Sequence, residues 1–208
     1  MNKYTIFLSL LLCNTIPNNA IAMFTHPKPN LEEKTPQQAQ ADLFYYVKLS
    51  GNPFEAFINI LPTLEKFNDN PEFDINKTNV LSQTLLEVAT VHAVIKRLTK
   101  QDECCDCDSN NNESLCPCLK IIEYLLTYGA NPNIPGSRGL TPLQIAIQYS
   151  HLNNAHIRNI IKLLLQHGAD TSNINWREVP REITNHESIL PFLPANAQTL
   201  STETCLLF

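Results

Sequence analysis

Apolar residues stand at Ile157, Ile160, Ile161 and Leu164, the i, i+3, i+4, i+7 spacing of one buried helical face. The same spacing occurs upstream at Cys118, Ile121, Ile122 and Leu125. Each stripe predicts a helix that must cover its flank with a neighbour. Each also runs into a glycine, Gly168 and Gly129, where a left-handed residue closes a helix without a Cβ penalty. Between the stripes Thr141 precedes Pro142, which predicts a helix start. The threonine hydroxyl caps an orphan N–H, and proline at the first helical position has no N–H to leave unpaired. Helix following helix predicts an all-α fold.

These signals combine into a recurring unit. Gly139-Leu140-Thr141-Pro142-Leu143-Gln144-Ile145-Ala146 lies between Tyr128-Gly129-Ala130-Asn131 and His167-Gly168-Ala169-Asp170. Together they resemble ankyrin repeats, in which a Thr-Pro-Leu-His-x-Ala helix start, a second striped helix and a Gly-Ala-Asp/Asn stop recur after about 33 residues. A degraded copy stands at Gln83-Thr84-Leu85-Leu86-Glu87-Val88-Ala89, with Leu85 in the proline's place and Glu87 in the histidine's. Thr84 and Thr141 are 57 residues apart, an excess of roughly 24 over one repeat. Gly129 and Gly168 are 39 apart, an excess of roughly six, placed around His151 to His156. Loops absorb such additions cheaply. Upstream, residues 41–52 are similar to the first helix of an amino-terminal unit and 54–67 to its second. Downstream, 179–183 and 189–193 are similar to a short closing unit, whose outer face must be more polar.

The resemblance covers roughly Pro36 to Leu193. It implies a solenoid of about four helix-pair units, with hairpin fingers near 76–83, 133–140 and 173–179 and a concave binding surface formed by fingers and first helices. It also implies protein binding as the function. The family's motif histidine ties adjacent units together. Gln144 is the residue able to replace it, whereas an ionised Glu87 has no hydrogen to donate. Lys77, Asn79, Ser137, Arg138, Gln148, Tyr149, Trp176 and Arg177 are the candidate partner contacts, at finger and first-helix positions without an evident packing role. Trp176 has a second reading, as the residue that closes the last unit.

The ends add targeting signals. Lys3, an apolar run from Tyr4 to Cys13 and Ala20-Ile21-Ala22 have the three-part layout of a secretory signal peptide cleaved after Ala22. The run is shorter than the about 20 residues a membrane span needs. Residues 23–35, with Pro27 and Pro29, read as a linker, 36–194 as the repeat domain and 195–208 as a tail. The chain ends Cys205-Leu206-Leu207-Phe208, a C-a-a-X lipidation box whose terminal Phe favours geranylgeranyl. Secretion and cytosolic prenylation are compatible in exported ankyrin effectors of intracellular bacteria, which this chain resembles. The expected partner is then a host protein, and the expected location outside the producing cell, at a host membrane through Cys205.

Charge excludes nucleic acid as a partner. The net charge is −5, and removing residues 1–22 takes away one Lys and no acid, leaving −6. Fifteen Lys and Arg in 208 residues form no stripe of the kind that grips phosphates. Six scattered histidines assemble no catalytic motif, and the chain reads as a non-enzyme without a required cofactor. The insertion, 101–117, holds Cys104, Cys105, Cys107 and Cys116, and Cys118 follows directly after it. Three readings stand: disulfides in an oxidising compartment, a zinc ion held by thiolates, or free thiols. The alternative function is a metal-binding or redox-responsive module centred on this insertion.

Overall fold

A computed structural model of the chain describes residues 33–49, 53–99, 116–152, 155–195 and 197. The regular elements among them are all helical, without a strand. Seven α-helices follow in order: α1 (Pro36–Leu49), α2 (Pro53–Phe67), α3 (Leu85–Thr99), α4 (Pro117–Thr127), α5 (Pro142–Gln148), α6 (Ala155–Gln166) and α7 (Arg181–Thr184). Short 3₁₀ turns lie at Ser150–Leu152 and Leu190–Phe192.

Threonine starts three of these helices. Thr141 Oγ1 accepts from the Gln144 N–H at 3.3 Å while Gln144 Oε1 accepts from the Thr141 N–H at 2.9 Å, a reciprocal capping box. Thr35 and Gln38 repeat it at 3.2 and 3.0 Å, so α1 begins at Pro36, five residues before the expected start. Thr84 Oγ1 accepts from the Glu87 N–H at 3.1 Å. At the other ends, Ala130 N–H donates to Leu125 O and Gly129 N–H to Leu126 O, and Ala169 and Gly168 repeat the pair on Leu164 and Leu165. This double closure satisfies the last carbonyls of α4 and α6, with Gly129 and Gly168 at φ +90° and +79°.

The helices form pairs, α1 with α2, α3 with α4 and α5 with α6. First helices also touch first helices, α1 to α3 to α5, and second helices touch second helices, α2 to α4 to α6. Two rows therefore face each other, and the striped flanks meet between them. Ile157, Ile160, Ile161 and Leu164 are wholly buried, and Cys118, Ile121, Ile122 and Leu125 are buried as well. At about 1.5–3 kcal/mol per large aliphatic side chain, the four on α6 contribute roughly 6–12 kcal/mol before chain entropy is subtracted. A helix of 12 residues has no such stability alone, so α6 depends on α4 and α5.

Candidate functional site

Each pair is joined to the next through a loop whose bonds repeat at the spacing seen in the sequence. Asp74 Oδ1 accepts from the Asn76 N–H, Asn131 Oδ1 from the Asn133 N–H and Asp170 Oδ1 from the Ser172 N–H, each at 2.9 Å. These side-chain turns aim the residue two positions on at its neighbour. Asn76 Nδ2 donates to Gly129 O at 3.2 Å, and its Oδ1 accepts from the Asn131 N–H at 2.7 Å. Asn133 grips Gly168 O and the Asp170 N–H in the same way, at 3.0 and 2.6 Å. One amide thus fills the donor and acceptor needs of the next loop, clamping successive fingers at their bases.

Beyond the clamps, each finger turns tightly. Ser82 N–H donates to Asn79 O, Gly139 N–H to Gly136 O and Glu178 N–H to Asn175 O. Central turn positions are therefore Val80 and Leu81, Ser137 and Arg138, and Trp176 and Arg177. The first two fingers share a further bond, from Asn79 N–H to Gln83 O and from Gly136 N–H to Leu140 O. They also share a left-handed residue, Ser82 at φ +58° and Gly139 at φ +70°.

The inter-unit tie at Glu87 inverts the chemistry expected of it. Its side chain is 2% exposed, and its carboxylate accepts from the Ser137 N–H and hydroxyl, both at 3.4 Å. It links α3 to the second finger by accepting, which suits an ionised acid. Gly136 makes room, since a Cβ there would overlap the Glu87 carboxylate. Gln144 is engaged at the start of its own helix, where its side-chain oxygen accepts from the Thr141 N–H.

The candidate contact residues differ in what their side chains do. Lys77, Arg138 and Arg177 are exposed on the fingers. Asn79 and Ser137 do structural work: Asn79 Oδ1 accepts from Leu81 and Gln83 N–H groups at 2.9 and 3.0 Å, and Ser137 holds Glu87. Gln148 lines an open cleft of about 380 Å³ between α5 and the third finger, with an apolar floor that includes Ile147, Ile174 and Val179. Tyr149, half-buried, closes α5. Trp176 is 5% exposed, so its ring belongs to the interior, and its indole N–H has no hydrogen-bond partner among the described residues.

Sequence reasoning passed over Val80 and Leu81, which are 101% and 55% exposed. The available signal was position: both fall at the centre of an expected hairpin, where polar residues are the norm.

The electrostatics follow from these bonds. Ser172 donates its backbone N–H and its hydroxyl to Asp170, holding that carboxyl below the usual range. Burial pushes the Tyr128 phenol up, aided by the nearby charge of Glu65. The hydrogen bond from Lys34 to Asp42 raises the lysine.

Of the five cysteines in and beside the insertion, Cys116 and Cys118 are described and buried. Cys116 occupies the N-cap of α4 and Pro117 its first position, so the edge of the insertion is part of the packed fold. Cys116 Sγ lies 3.7 Å from His156 Nδ1, joining the starts of α4 and α6. Among the described residues, no group of three or more His, Cys, Asp or Glu is placed to hold a metal ion, and no helix is long and apolar enough to cross a membrane. Cys104, Cys105, Cys107, the signal segment 1–22 and the terminal box with Cys205 lie outside the described residues.

No curated protein matches the chain significantly. Residues 138–176, from the tip of the second finger through α5 and α6 to Trp176, match the family model of the ankyrin repeat.

Proposed function

We propose that the chain is a protein-interaction scaffold, a solenoid of about four ankyrin-type helix-pair units that binds a partner on its fingers and first helices. The ankyrin repeat is a binding module and carries no chemistry of its own, which agrees with the absence of a catalytic motif from the sequence. The observation carrying this reading is the pair of side-chain clamps at Asn76 and Asn133. They fix neighbouring fingers side by side at the base while the tips and the cleft beside α5 stay open. Partner surfaces of that kind gain affinity because little remains to be ordered on binding.

The same reading places the protein outside the cell that makes it, on a host partner, with Cys205 as a lipid anchor. It is supported by the residue patterns at the two termini. One chain satisfies a signal peptide and a eukaryotic prenylation box only when it is exported into eukaryotic cytosol. A single lipid gives marginal membrane binding, so the partner itself supplies the second contact.

The test uses the full chain as bait in host-cell extract, beside a chain lacking 101–115. Recovery of one partner by both proteins is the expected result. Recovery lost with the insertion alone, in a chain that still folds, would move the function to the cysteines. Incorporation of labelled isoprenoid in eukaryotic lysate, with Cys205→Ser as control, tests the anchor separately.

A further inference from the structure

We propose that the three fingertips form one docking strip for an acidic segment of a partner protein, in which an apolar residue of that segment sits on Val80 and Leu81 and its carboxylates meet Arg138 and Arg177. This rests on the scaffold reading and names the chemistry of the partner.

The central turn positions differ from finger to finger in a definite order. The first tip is apolar, with Val80 fully exposed and Leu81 more than half exposed. The second and third each present an arginine at the position of Leu81, Arg138 and Arg177. Nothing in turn chemistry asks for Val-Leu at such a site. The apolar tip is also held rigid, since Asn79 Oδ1 takes the N–H groups of Leu81 and Gln83 and Asn79 Nδ2 donates to Gln83 Oε1 at 3.2 Å. A fixed, uncovered apolar pair is an anchor point that loses little entropy on contact.

Charge decides the rest. The fingers carry Lys77, Arg138 and Arg177 against one acid, Glu178, while the chain as a whole is at −5. Among the described residues, none of the three cations is in an ion pair, and the Glu178 carboxylate is engaged by Asn175 Nδ2 at 2.7 Å. The strip is therefore opposite in sign to the molecule, and an acidic segment is its complement. Screening over about 8–10 Å lets these tip charges dominate at contact over the distant negative charge. A nucleic acid would need more cations and exposed aromatic faces, and the aromatic residue at these turns, Trp176, is buried.

The experiment selects peptides from a random displayed library on the immobilised full chain, then measures the enriched peptides by fluorescence anisotropy. Wild type is compared with Arg138→Glu/Arg177→Glu and with Val80→Ser/Leu81→Ser, each checked for fold by circular dichroism. Expected are peptides with two or more Asp or Glu beside a Leu, Ile or Phe. The charge-reversed protein should bind them at least about tenfold more weakly, and the serine variant about tenfold more weakly. Replacing the peptide acids by Lys should restore binding to the charge-reversed protein. Selection of neutral or basic peptides, or acidic peptides indifferent to both variants, overturns the strip while leaving the scaffold intact. Self-association abolished by the serine variant also overturns it, because the occupant would then be a second copy. If no peptide is selected and no extract partner is recovered, both readings fall.

Discussion

Gly136→Ala tests the buried contact at Glu87 directly. The new Cβ would overlap the carboxylate, which must then swing away from Ser137. The glutamate is the flexible end of that contact, but at 2% exposure it has little water to move into. Hydrogen bonds to a charged group contribute about 1.5–3 kcal/mol each when short. At 3.4 Å the two from Ser137 lie at the weak end. Losing both and leaving a poorly satisfied buried charge should cost about 2–4 kcal/mol. Glu87→Ala removes the obstacle together with the charge, so Gly136→Ala in that background should cost less than about 1 kcal/mol, giving a coupling of roughly 1–3 kcal/mol. The single tryptophan, Trp176, is buried and gives a fluorescence signal for urea unfolding of all four proteins. Equal cost of Gly136→Ala with and without Glu87 would refute the argument that the glycine exists to admit the carboxylate.

Three further outcomes follow from the same loops. Asn133→Ala removes two exposed bonds and should destabilise by about 1–3 kcal/mol, with faster amide exchange at Asp170; unchanged exchange there would contradict the clamp. Ser82→Gly relieves a left-handed residue with a Cβ and should raise stability by about 0.5–1 kcal/mol in urea titration, whereas a loss would mean that the serine side chain contributes more than its backbone strain. The Asp170 carboxyl, lowered in the folded chain, contributes stability that is present above the unfolded carboxyl range and lost as pH falls through its folded value. Carbon-detected NMR titration should therefore find Asp170 titrating below an ordinary aspartate in wild type and moving up in Ser172→Ala.

Much of the helical order was legible because it rests on local chemistry. The stripes on α4 and α6, the Thr141-Pro142 start and the stops at Gly129 and Gly168 all depend on residues within one or two turns. The start of α1 was less visible: Thr35-Pro36 carries the same cap, but the Gln-rich first turn lacks an apolar stripe to draw attention to it. Linking residues were harder still. An asparagine in a loop reads as a turn former, and only its recurrence at Asn76 and Asn133, 57 positions apart like Thr84 and Thr141, marks it as a clamp. Glu87, which cannot donate when ionised, ties the units by accepting from the next finger, and the Gln144 side-chain oxygen is taken by the cap of its own helix.

The clamp series also accounts for where the regular pattern stops. The position of Asn76 and Asn133 is taken next by Ser172, whose hydroxyl reaches back to Asp170 Oδ2 at 2.8 Å in place of reaching forward. A serine is too short to present a donor and an acceptor to another loop, and a proline, Pro180, stands where Thr35, Thr84 and Thr141 supplied a cap. The helix that follows, α7, has four residues and no side-chain cap. Trp176, at the turn position of Ser137, is buried where the residue of the earlier finger stays exposed. Arg138 and Arg177 stay exposed on the second and third fingers, and on the proposed reading these are the last tips that a partner reaches before the pattern ends.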